Sequence, residues 1–370
     1  MSLRATPPFR AEHVGSLLRP KELKDARAEH QAGRIGADEL CRIEDSAIRR
    51  IVKQQEELGL RAVTDGELRR DSWHMDFYRQ IGGFVARGEA PIRFRTATAE
   101  IDYVMPSLHI EAKLSLPHTI FGADFAFLKS ATSATAKLTI PSPSVLHRRA
   151  LYALTNAALY PDIDSFWRDL AAVYAEEVAR LGALGCTYLQ IDDTSFATLC
   201  DPAQREALSK AGADGEHIHE TYIRVFNAAL ARKPAGMVVA THTCRGNHRS
   251  AWFASGGYDF IADSLFNRLD VDGFFLEYDD ERSGGFEPLR FLPPGKFAVL
   301  GLVSSKRRAL ESKEALKRRI DEAARYAPLE QLCLSPQCGF SSTLDGNDLT
   351  EAEQFAKLGL VAEVAREVWG

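Results

Sequence analysis

Two side chains that could bind a metal or act as a nucleophile lie two residues apart at the end of an apolar run. The run MVVATHT (237–243) contains His242, and Cys244 follows the run directly. On a β-strand, residues i and i+2 point to the same face, so the imidazole and the thiol would lie side by side. Such a pair fits a zinc site or a cysteine–histidine nucleophile pair. Because His-x-Cys is a weak pattern, two ordinary strand-end residues are a third interpretation.

Two further potential ligands stand at the ends of later apolar runs. Glu277 lies in FFLEYDD (274–280), and Cys338 follows QLCLSPQ (331–337). Zinc binds imidazole, thiolate and carboxylate in tetrahedral geometry, which matches these side chains. We therefore predict a Zn²⁺ site with four ligands, namely His242, Cys244, Glu277 and Cys338. A nucleophile pair would leave the glutamate and the second cysteine without a function, so we rank that interpretation below zinc.

The elements that would carry these residues alternate between short apolar runs and amphipathic helical stretches. Near-continuous apolar runs are typical of parallel strands buried on both faces, and their alternation with helices indicates βαβ units. The predicted strands are 10–16, 61–67, 136–142, 187–193, 237–243, 274–280, 297–303 and 331–337. Eight such units favour an α/β fold of the closed (β/α)8 TIM barrel type, with functional residues at the carboxyl ends of the strands. No G-x-G-x-x-G motif follows the first run, which argues against a dinucleotide-binding fold.

One segment interrupts the alternation of strands and helices. Residues 70–135 separate the second and third predicted strands, and the alternating stretches IRFRTATAEIDYV and LHIEAKLSL predict short antiparallel strands there. We predict that 1–370 forms a single barrel domain with a β-rich insertion, 70–135, between strands 2 and 3 at the C-terminal face of the barrel. Trp73 lies in this insertion, where it could stack on a flat substrate or pack the insertion against the barrel.

Composition and charge exclude several classes of protein. The chain has 370 residues and a formal net charge of −5, without a basic block, so we expect no nucleic-acid partner. No apolar run approaches the roughly 18–20 residues of a membrane-spanning helix, and MSLRATPPFRAEH lacks the apolar region of a signal peptide. We therefore expect a cytoplasmic protein with no membrane contact, whose six cysteines are not paired in disulfides. The sequence does not determine the oligomeric state.

With these motifs the sequence resembles the cobalamin-independent methionine synthase family, specifically its C-terminal catalytic barrel and its short single-barrel members. The matching stretches, in family order, are HVGS (13–16), TDGE (64–67), LQIDD (189–193), THTC (241–244), LEYDD (276–280) and SPQCGF (335–340). The resemblance implies that the predicted zinc site binds the thiol of homocysteine. It further implies that Glu67 and Asp192 hold the amino group. The carboxylate of homocysteine would meet the segment Val14, Gly15 and Ser16.

The activity that the resemblance implies is methyl transfer to homocysteine, which forms methionine. Zinc suits this chemistry because a free thiol has a pKa of about 8.5, and coordination deprotonates it. The methyl donor would be 5-methyltetrahydrofolate, a methylated corrinoid protein or a small methylated compound. Long family members have a histidine after the seventh strand as the expected general acid. This chain has GLVSSKRR there, where Lys306 could protonate a leaving amine or could simply be an ordinary solvated lysine.

Three other functions stay open at this point. A zinc-dependent alkyl transfer to another small thiol, as in epoxide–coenzyme M transferases, would need Arg or Lys for a sulfonate rather than the carboxylates of Glu67 and Asp192. A non-catalytic barrel with a structural zinc would have a closed site of four protein ligands and no adjacent cavity. A metal-free decarboxylase on a related barrel is disfavoured by the four ligand-type residues at strand ends.

Overall fold

The computed structural model describes residues 4–96, 98–150 and 156–370, apart from the side chains of 90 and 147–150. The strands in this part of the chain are β1 (Ala62–Val63), β2 (Gly82–Arg95), β3 (Glu100–Ser115), β4 (Thr135–Pro141), β5 (Tyr188–Asp193), β6 (Val238–Thr243), β7 (Gly273–Glu277), β8 (Phe297–Val303) and β9 (Leu332–Pro336). Seven of them form one parallel sheet in the order β1-β4-β5-β6-β7-β8-β9. Their carboxyl ends therefore share one edge of a curled sheet, as in a TIM barrel.

Helices connect these strands and cover the outside of the sheet. The α-helices in the described ranges are α1 (Lys21–Gln31), α2 (Ala37–Glu57), α3 (Met75–Tyr78), α4 (Gly122–Ala131), α5 (Pro143–Ala150), α6 (Ile163–Ala183), α7 (Ser195–Leu199), α8 (Pro202–Lys210), α9 (Ile218–Ala229), α10 (Ala262–Arg268), α11 (Lys313–Ala323) and α12 (Glu351–Trp369). Short 3₁₀ helices cover Tyr258–Phe260, Glu281–Ser283, Glu287–Phe291 and Leu329–Gln331. A capping box formed by Thr350 and Glu353 begins α12. No helix of the described residues is both long and apolar enough to span a bilayer.

The segment that closes the sheet is the predicted first strand, 10–16. It is not a continuous strand, because it pairs with β9 only through a parallel bridge between Ala11 and Leu334. On its other side, the Thr64 hydroxyl donates a hydrogen bond to the Gly15 carbonyl oxygen at 2.7 Å. The segment thus lies between β9 and the end of β1. The predicted TIM-barrel-type α/β fold is confirmed, whereas a regular strand over 10–16 is wrong.

The second predicted strand, 61–67, is also shorter than expected. It is reduced to Ala62–Val63 because the chain turns sharply within TDGE. Gly66 and Glu67 have φ angles of 66° and 57°, in the left-handed region that a strand cannot contain. The early turn points the Glu67 side chain into the barrel mouth, where it lines a cleft.

The predicted insertion is a long antiparallel hairpin made of β2 and β3. Its register runs from Gly82 opposite Ser115 to Arg95 opposite Glu100. Near the hairpin tip, Arg95 and Trp252 exchange two backbone hydrogen bonds of 2.6 and 2.8 Å. Trp252 belongs to the loop after β6, so the hairpin packs against a loop at the carboxyl end of a barrel strand. The β-rich insertion between the second and third strands is confirmed.

A buried glutamate away from the carboxyl ends of the barrel strands is expected to make the free energy of unfolding depend on pH. Glu177 of α6 is buried, and its Oε2 accepts a hydrogen bond from the Ile120 N–H at 3.0 Å. Burial raises the pKa of Glu177 from 4.5 to about 8. The folded state therefore holds this proton more tightly than the unfolded chain, so the free energy of unfolding falls as pH rises from about 4.5 to about 8.

Glu177→Gln is expected to stabilise the protein at pH 8 and to have little effect at pH 4. Glutamine keeps an oxygen acceptor for the Ile120 N–H without carrying a charge into the interior. We expect a gain of about 2–4 kcal/mol at pH 8, measured by urea unfolding at both pH values. Glu176→Gln serves as a control, because the carboxylate of Glu176 pairs with Arg180. An equal effect of Glu177→Gln at pH 4 and pH 8 would show that folding does not raise the pKa of Glu177.

Candidate metal centre and adjoining cleft

Four buried side chains converge at the carboxyl ends of three strands. His242 lies in β6 and Cys244 directly after it, Glu277 ends β7, and Cys338 follows β9. One ligand atom from each of the four lies within 4.8 Å of the others. The sulfur atoms of Cys244 and Cys338 are 3.4 Å apart. The parallel sheet thus brings together all four residues that the sequence pattern singled out as metal ligands.

The donor set fits a tetrahedral divalent ion. Zn–S bonds of about 2.3 Å and Zn–N or Zn–O bonds of about 2.0–2.2 Å place ligand atoms about 3.3–3.8 Å apart. The distance of 3.4 Å between the two sulfur atoms lies in this range, and all four ligand atoms lie within 4.8 Å of one another. The buried His242 ring nitrogens have no hydrogen-bonding nitrogen or oxygen among the described residues, and the imidazole adjoins the Cys244 thiol. Glu277 Oε2 accepts no hydrogen bond from the described residues, although Arg282 Nη2 lies 3.5 Å away. Buried polar atoms are seldom left unsatisfied, so these atoms fit metal coordination.

The electrostatics of the cluster also favour a cation. The Cys338 thiol and burial together raise the pKa of Cys244 well above its usual value. Burial raises the pKa of Glu277, but Lys306, Arg282 and other cations outweigh this effect and lower the net pKa, so the carboxylate is ionised. Two sulfur atoms and a carboxylate this close repel each other once they are charged, and a divalent cation relieves that repulsion.

Two residues beyond the ligands hold the cluster in place. The backbone N–H of the buried Arg245 donates to Glu277 Oε1 at 3.2 Å, and its Nη1 donates to the Tyr258 hydroxyl at 2.9 Å. The same hydroxyl accepts the Glu277 N–H at 2.9 Å. Glu277 is thus oriented from both its backbone and its carboxylate. The sequence pattern did not single out Arg245 or Tyr258, because an arginine in a polar loop usually extends into solvent.

A cleft that is open to solvent adjoins the cluster. Its described lining residues are Val14, Ser16, Glu67, Trp73, Phe94, Asp192, Thr194, His242, Cys244, Gly246, Asn247, Cys338, Gly339 and Ser342. Most of the residues predicted to bind substrate therefore surround the predicted ligands. Gly15, Glu277 and Lys306 are not among the lining residues.

Gly15 shapes the cleft without lining it. Its φ of 142° lies in the region that favours glycine, and an added Cβ would stand 2.7 Å from Thr139 Cγ2. The Thr139 hydroxyl in turn donates to Glu67 Oε1 at 2.8 Å. A side chain at position 15 would therefore displace the group that orients Glu67.

Glu67 and Asp192 place two carboxyl groups in the cleft wall. Both are buried, and Glu67 Oε2 accepts no hydrogen bond within the described ranges. Burial raises the pKa of Asp192 to about 7; the Glu67 carboxylate adds to this shift and His242 opposes it. Glu67 Oε1 lies 3.7 Å from Arg70 Nη1, but its Oε2 is unsatisfied and the pKa of Asp192 is raised, so this wall of the cleft still favours a cationic partner such as an ammonium group.

Gln190, which the motifs did not single out, positions Asp192. Its Nε2 donates to Asp192 Oδ1 at 2.7 Å and to the Val14 carbonyl oxygen at 2.5 Å. Its Oε1 accepts a hydrogen bond from the buried Lys137 ammonium at 3.2 Å, and that ammonium also pairs with Glu12 at 3.2 Å. The Gln190 amide thus links the Lys137–Glu12 ion pair in the barrel interior to Val14 and Asp192 in the cleft wall.

Known proteins similar to this chain match it over a range that includes all the site residues described above. The family described as "Cobalamin-independent synthase, Catalytic domain" matches residues 9–367. The chain belongs to this family. Its relatives include the uncharacterized protein YxjH of Bacillus subtilis (strain 168), which is 44% identical over 369 residues, or 98% of this chain and 95% of the relative. A methionine synthase of Saccharolobus islandicus (strain Y.G.57.14 / Yellowstone #1) is 26% identical over 327 residues, or 88% of this chain and 86% of the relative.

Solved structures of the cobalamin-independent synthase family share the fold. A putative vitamin-B12-independent methionine synthase from Listeria monocytogenes is 37% identical, with a TM-score of 0.78 and coverage of 99% of this chain and 100% of that chain. A B12-independent methionine synthase from Shewanella sp. W3-18-1, solved in complex with selenomethionine, has a TM-score of 0.74 at 18% identity, covers 97% of each chain and supports the fold alone. Family and neighbours together support a methyltransferase-type enzyme on a methionine synthase-like fold.

Lys306, the candidate general acid, lies outside the cleft lining and contacts the cleft residue Asn247. Its Nζ donates to Asn247 Oδ1 at 3.1 Å, and Asn247 Nδ2 donates to the Gly339 carbonyl oxygen at 2.8 Å. Asn247 lines the cleft and was not predicted, since nothing in CRGNH distinguishes it from a loop asparagine. Phe94 was missed for a different reason: it lies on β2 of the insertion, far along the chain from every other lining residue except Trp73.

Proposed function

We propose that this protein methylates the thiol of homocysteine to form methionine, with Zn²⁺ bound by four protein ligands. The proposed ligands are His242, Cys244, Glu277 and Cys338. One observation carries the proposal: a ligand cluster adjoins a cleft whose wall also contains two buried carboxyl groups. A thiol that also bears an amino group matches both features. The names of the Saccharolobus relatives, which are methionine synthases, support the same substrate.

The amino acid end of the substrate is proposed to bind to the barrel side of the cleft. Glu67 and Asp192 would accept hydrogen bonds from the ammonium group, which supplies the cation that two buried carboxyl groups favour. The Ser16 hydroxyl and the backbone N–H groups of the segment 14–16 would bind the carboxylate. Val14 and Ser16 line the cleft, and Gly15 allows their close approach to the barrel.

A bound Zn²⁺ would act as a Lewis acid that keeps a substrate thiol deprotonated near neutral pH. The chain's own groups prepare the ligands for this task. The Gly246 N–H donates to the Cys244 sulfur at 3.3 Å, and the cations near Glu277 keep its carboxyl group ionised.

Methyl transfer forms a carbon–sulfur bond from a sulfur lone pair and breaks the bond between the methyl carbon and the donor. The donor keeps that electron pair and then takes up a proton. We propose Lys306 as the source of this proton, since its ammonium is one hydrogen bond from the cleft residue Asn247. The proposed donor is 5-methyltetrahydrofolate or another methyl carrier.

The donor is proposed to bind between the barrel mouth and the insertion. Trp73 and Phe94 both line the cleft and present aromatic surfaces that can stack on a flat donor. On this proposal 1–370 is one domain, and 70–135 covers the C-terminal face of the barrel. The backbone bridge between Arg95 and Trp252 supports this placement.

The alternative functions fit the cleft less well. A coenzyme M-type thiol carries a sulfonate, yet none of the described lining residues is Arg or Lys, and two carry carboxyl groups. A purely structural zinc site would be enclosed by its ligands, yet three of the four ligands line an open cleft.

Zinc analysis combined with a panel of substrates tests the proposal. We expect one zinc per chain and formation of methionine from homocysteine with at least one of methyltetrahydrofolate, methylcobalamin and a methylated sulfonium compound. Coenzyme M in place of homocysteine serves as the matched thiol control. In Co²⁺-substituted protein, homocysteine should change the visible absorption spectrum as its sulfur enters the metal's surroundings. If homocysteine neither changes that spectrum nor accepts a methyl group, the assignment of the acceptor is wrong.

A further inference from the structure

A second cleft lies at the amino-terminal end of the barrel strands, away from the metal centre. Its lining includes Phe9, directly before the closing segment 10–16, Arg10 at the start of that segment, and Arg61 directly before β1. Arg4 and Arg366 complete its charged lining. Catalytic groups of TIM barrels lie at the opposite, carboxyl-terminal end, so this cleft has no part in the proposed methyl transfer.

Four arginines surround this cleft, which we call the arginine cleft: Arg4, Arg10, Arg61 and Arg366. Its described lining contains no Asp or Glu, and within the described ranges none of the four forms an ion pair with a carboxylate. The nearby acids Glu363 and Glu367 of α12 pair with Lys313 instead. Four cations around one concave surface repel each other, and a bound anion relieves that repulsion.

Three of the four guanidinium groups, those of Arg4, Arg10 and Arg61, are held in position by contacts within the protein. Those of Arg4 and Arg61 stack on aromatic rings, 3.5 Å from the centroid of Phe297 and 4.8 Å from that of Phe9. Arg10 is only 6% exposed, and its Nη1 donates to the carbonyl oxygens of Glu330 and Leu332 at 3.0 and 2.6 Å. Arg10 Nε has no hydrogen-bond partner among the described residues.

Contacts within the protein account for only part of this arrangement. Arg4 and Arg10 bind backbone carbonyl groups near the barrel floor, which is a structural function. Arg61 also contacts a carbonyl, that of Arg4, but it is exposed. Arg366 is exposed on α12, and its side chain forms no hydrogen bond or ion pair with the described part of the protein. These two exposed arginines extend the positive surface beyond what the fold requires.

We propose that the arginine cleft is a binding site for a phosphate-type anion, such as a phosphate monoester or a diphosphate. Guanidinium groups bind phosphate oxygens through paired, charge-assisted hydrogen bonds, and several arginines around one cavity suit a ligand with more than one negative charge. Because the site lies at the end of the barrel opposite to the metal centre, the anion would regulate or anchor the enzyme rather than react.

Calorimetric titration with inorganic pyrophosphate tests this proposal on the zinc-loaded protein. We expect one site per chain in the wild type and a Kd at least about tenfold higher in the Arg61→Ala/Arg366→Ala double variant. Arg318→Ala on α11 is the matched control, since Arg318 is exposed, forms no ion pair with the described residues and lies outside the cleft. Raising KCl from 50 to 200 mM should weaken binding to the wild type.

Two further titrations distinguish the arginine cleft from the metal centre and from a general anion site. Pyrophosphate can also chelate zinc, so Cys338→Ser protein should retain the wild-type Kd if the arginines bind the anion. Citrate, a polycarboxylate, should bind more weakly than pyrophosphate if the site is of phosphate type. The proposal is overturned if wild type binds no pyrophosphate, if the double variant binds as wild type does, or if citrate binds more tightly. None of these results bears on the methyltransferase assignment.

Discussion

Cys338→Ser is expected to remove stoichiometric zinc and to lower kcat/KM for methyl transfer by about three orders of magnitude or more. The Cys338 sulfur is buried and lies 3.4 Å from the Cys244 sulfur, so it completes the ligand set from the loop after β9. A serine hydroxyl remains protonated at neutral pH and is a poor zinc ligand. Zinc content would be measured by mass spectrometry after dialysis against a weak chelator, and activity by methionine formation.

Cys333→Ser is the matched control for this experiment. Cys333 is a buried thiol on β9, close in sequence to Cys338, but it lies outside the ligand cluster. We expect this variant to keep one zinc per chain, and thermal unfolding of both variants would separate metal loss from loss of fold. A Cys338→Ser protein that binds zinc as tightly as wild type would rule out Cys338 as a ligand.

Asp192→Asn and Glu67→Gln are each expected to raise KM for homocysteine by about 30- to 150-fold while zinc content stays unchanged. A charge-assisted hydrogen bond that an ammonium group donates to a buried carboxylate contributes roughly 2–3 kcal/mol, which corresponds to this range. Each amide keeps the shape of the side chain but removes the negative charge. Steady-state kinetics at saturating methyl donor would measure the effect.

A substrate without the amino group makes this prediction specific. For 4-mercaptobutanoate, which is homocysteine without its amino group, wild type and Asp192→Asn should differ by less than about threefold. Glu177→Gln, a buried carboxylate change outside the cleft, should leave KM for homocysteine unchanged. If both cleft variants keep the wild-type KM for homocysteine, Glu67 and Asp192 do not bind the amino group, whatever the metal centre does.

The sequence by itself determined the class of fold and the set of ligand-type residues. Buried parallel strands require long apolar runs, and these runs are visible without a structure. Because the carboxyl ends of such strands share one end of a barrel, residues as far apart as Cys244 and Cys338 were expected to lie close together, and the structure places their sulfur atoms 3.4 Å apart. The insertion was equally visible as alternating strands that interrupt the strand–helix order.

Only the tertiary structure decided which other side chains hold and line the site. The segment 10–16 closes the barrel through a single bridge, because it has to leave β9 and turn toward the cleft within a few residues. Arg245, Gln190 and Asn247 are polar residues whose burial depends on contacts with distant parts of the chain, and local sequence does not encode such contacts. The same holds for the arginine cleft, whose four cations come from both ends of the chain and from the start of β1. Their proximity follows from barrel closure, which no local pattern records.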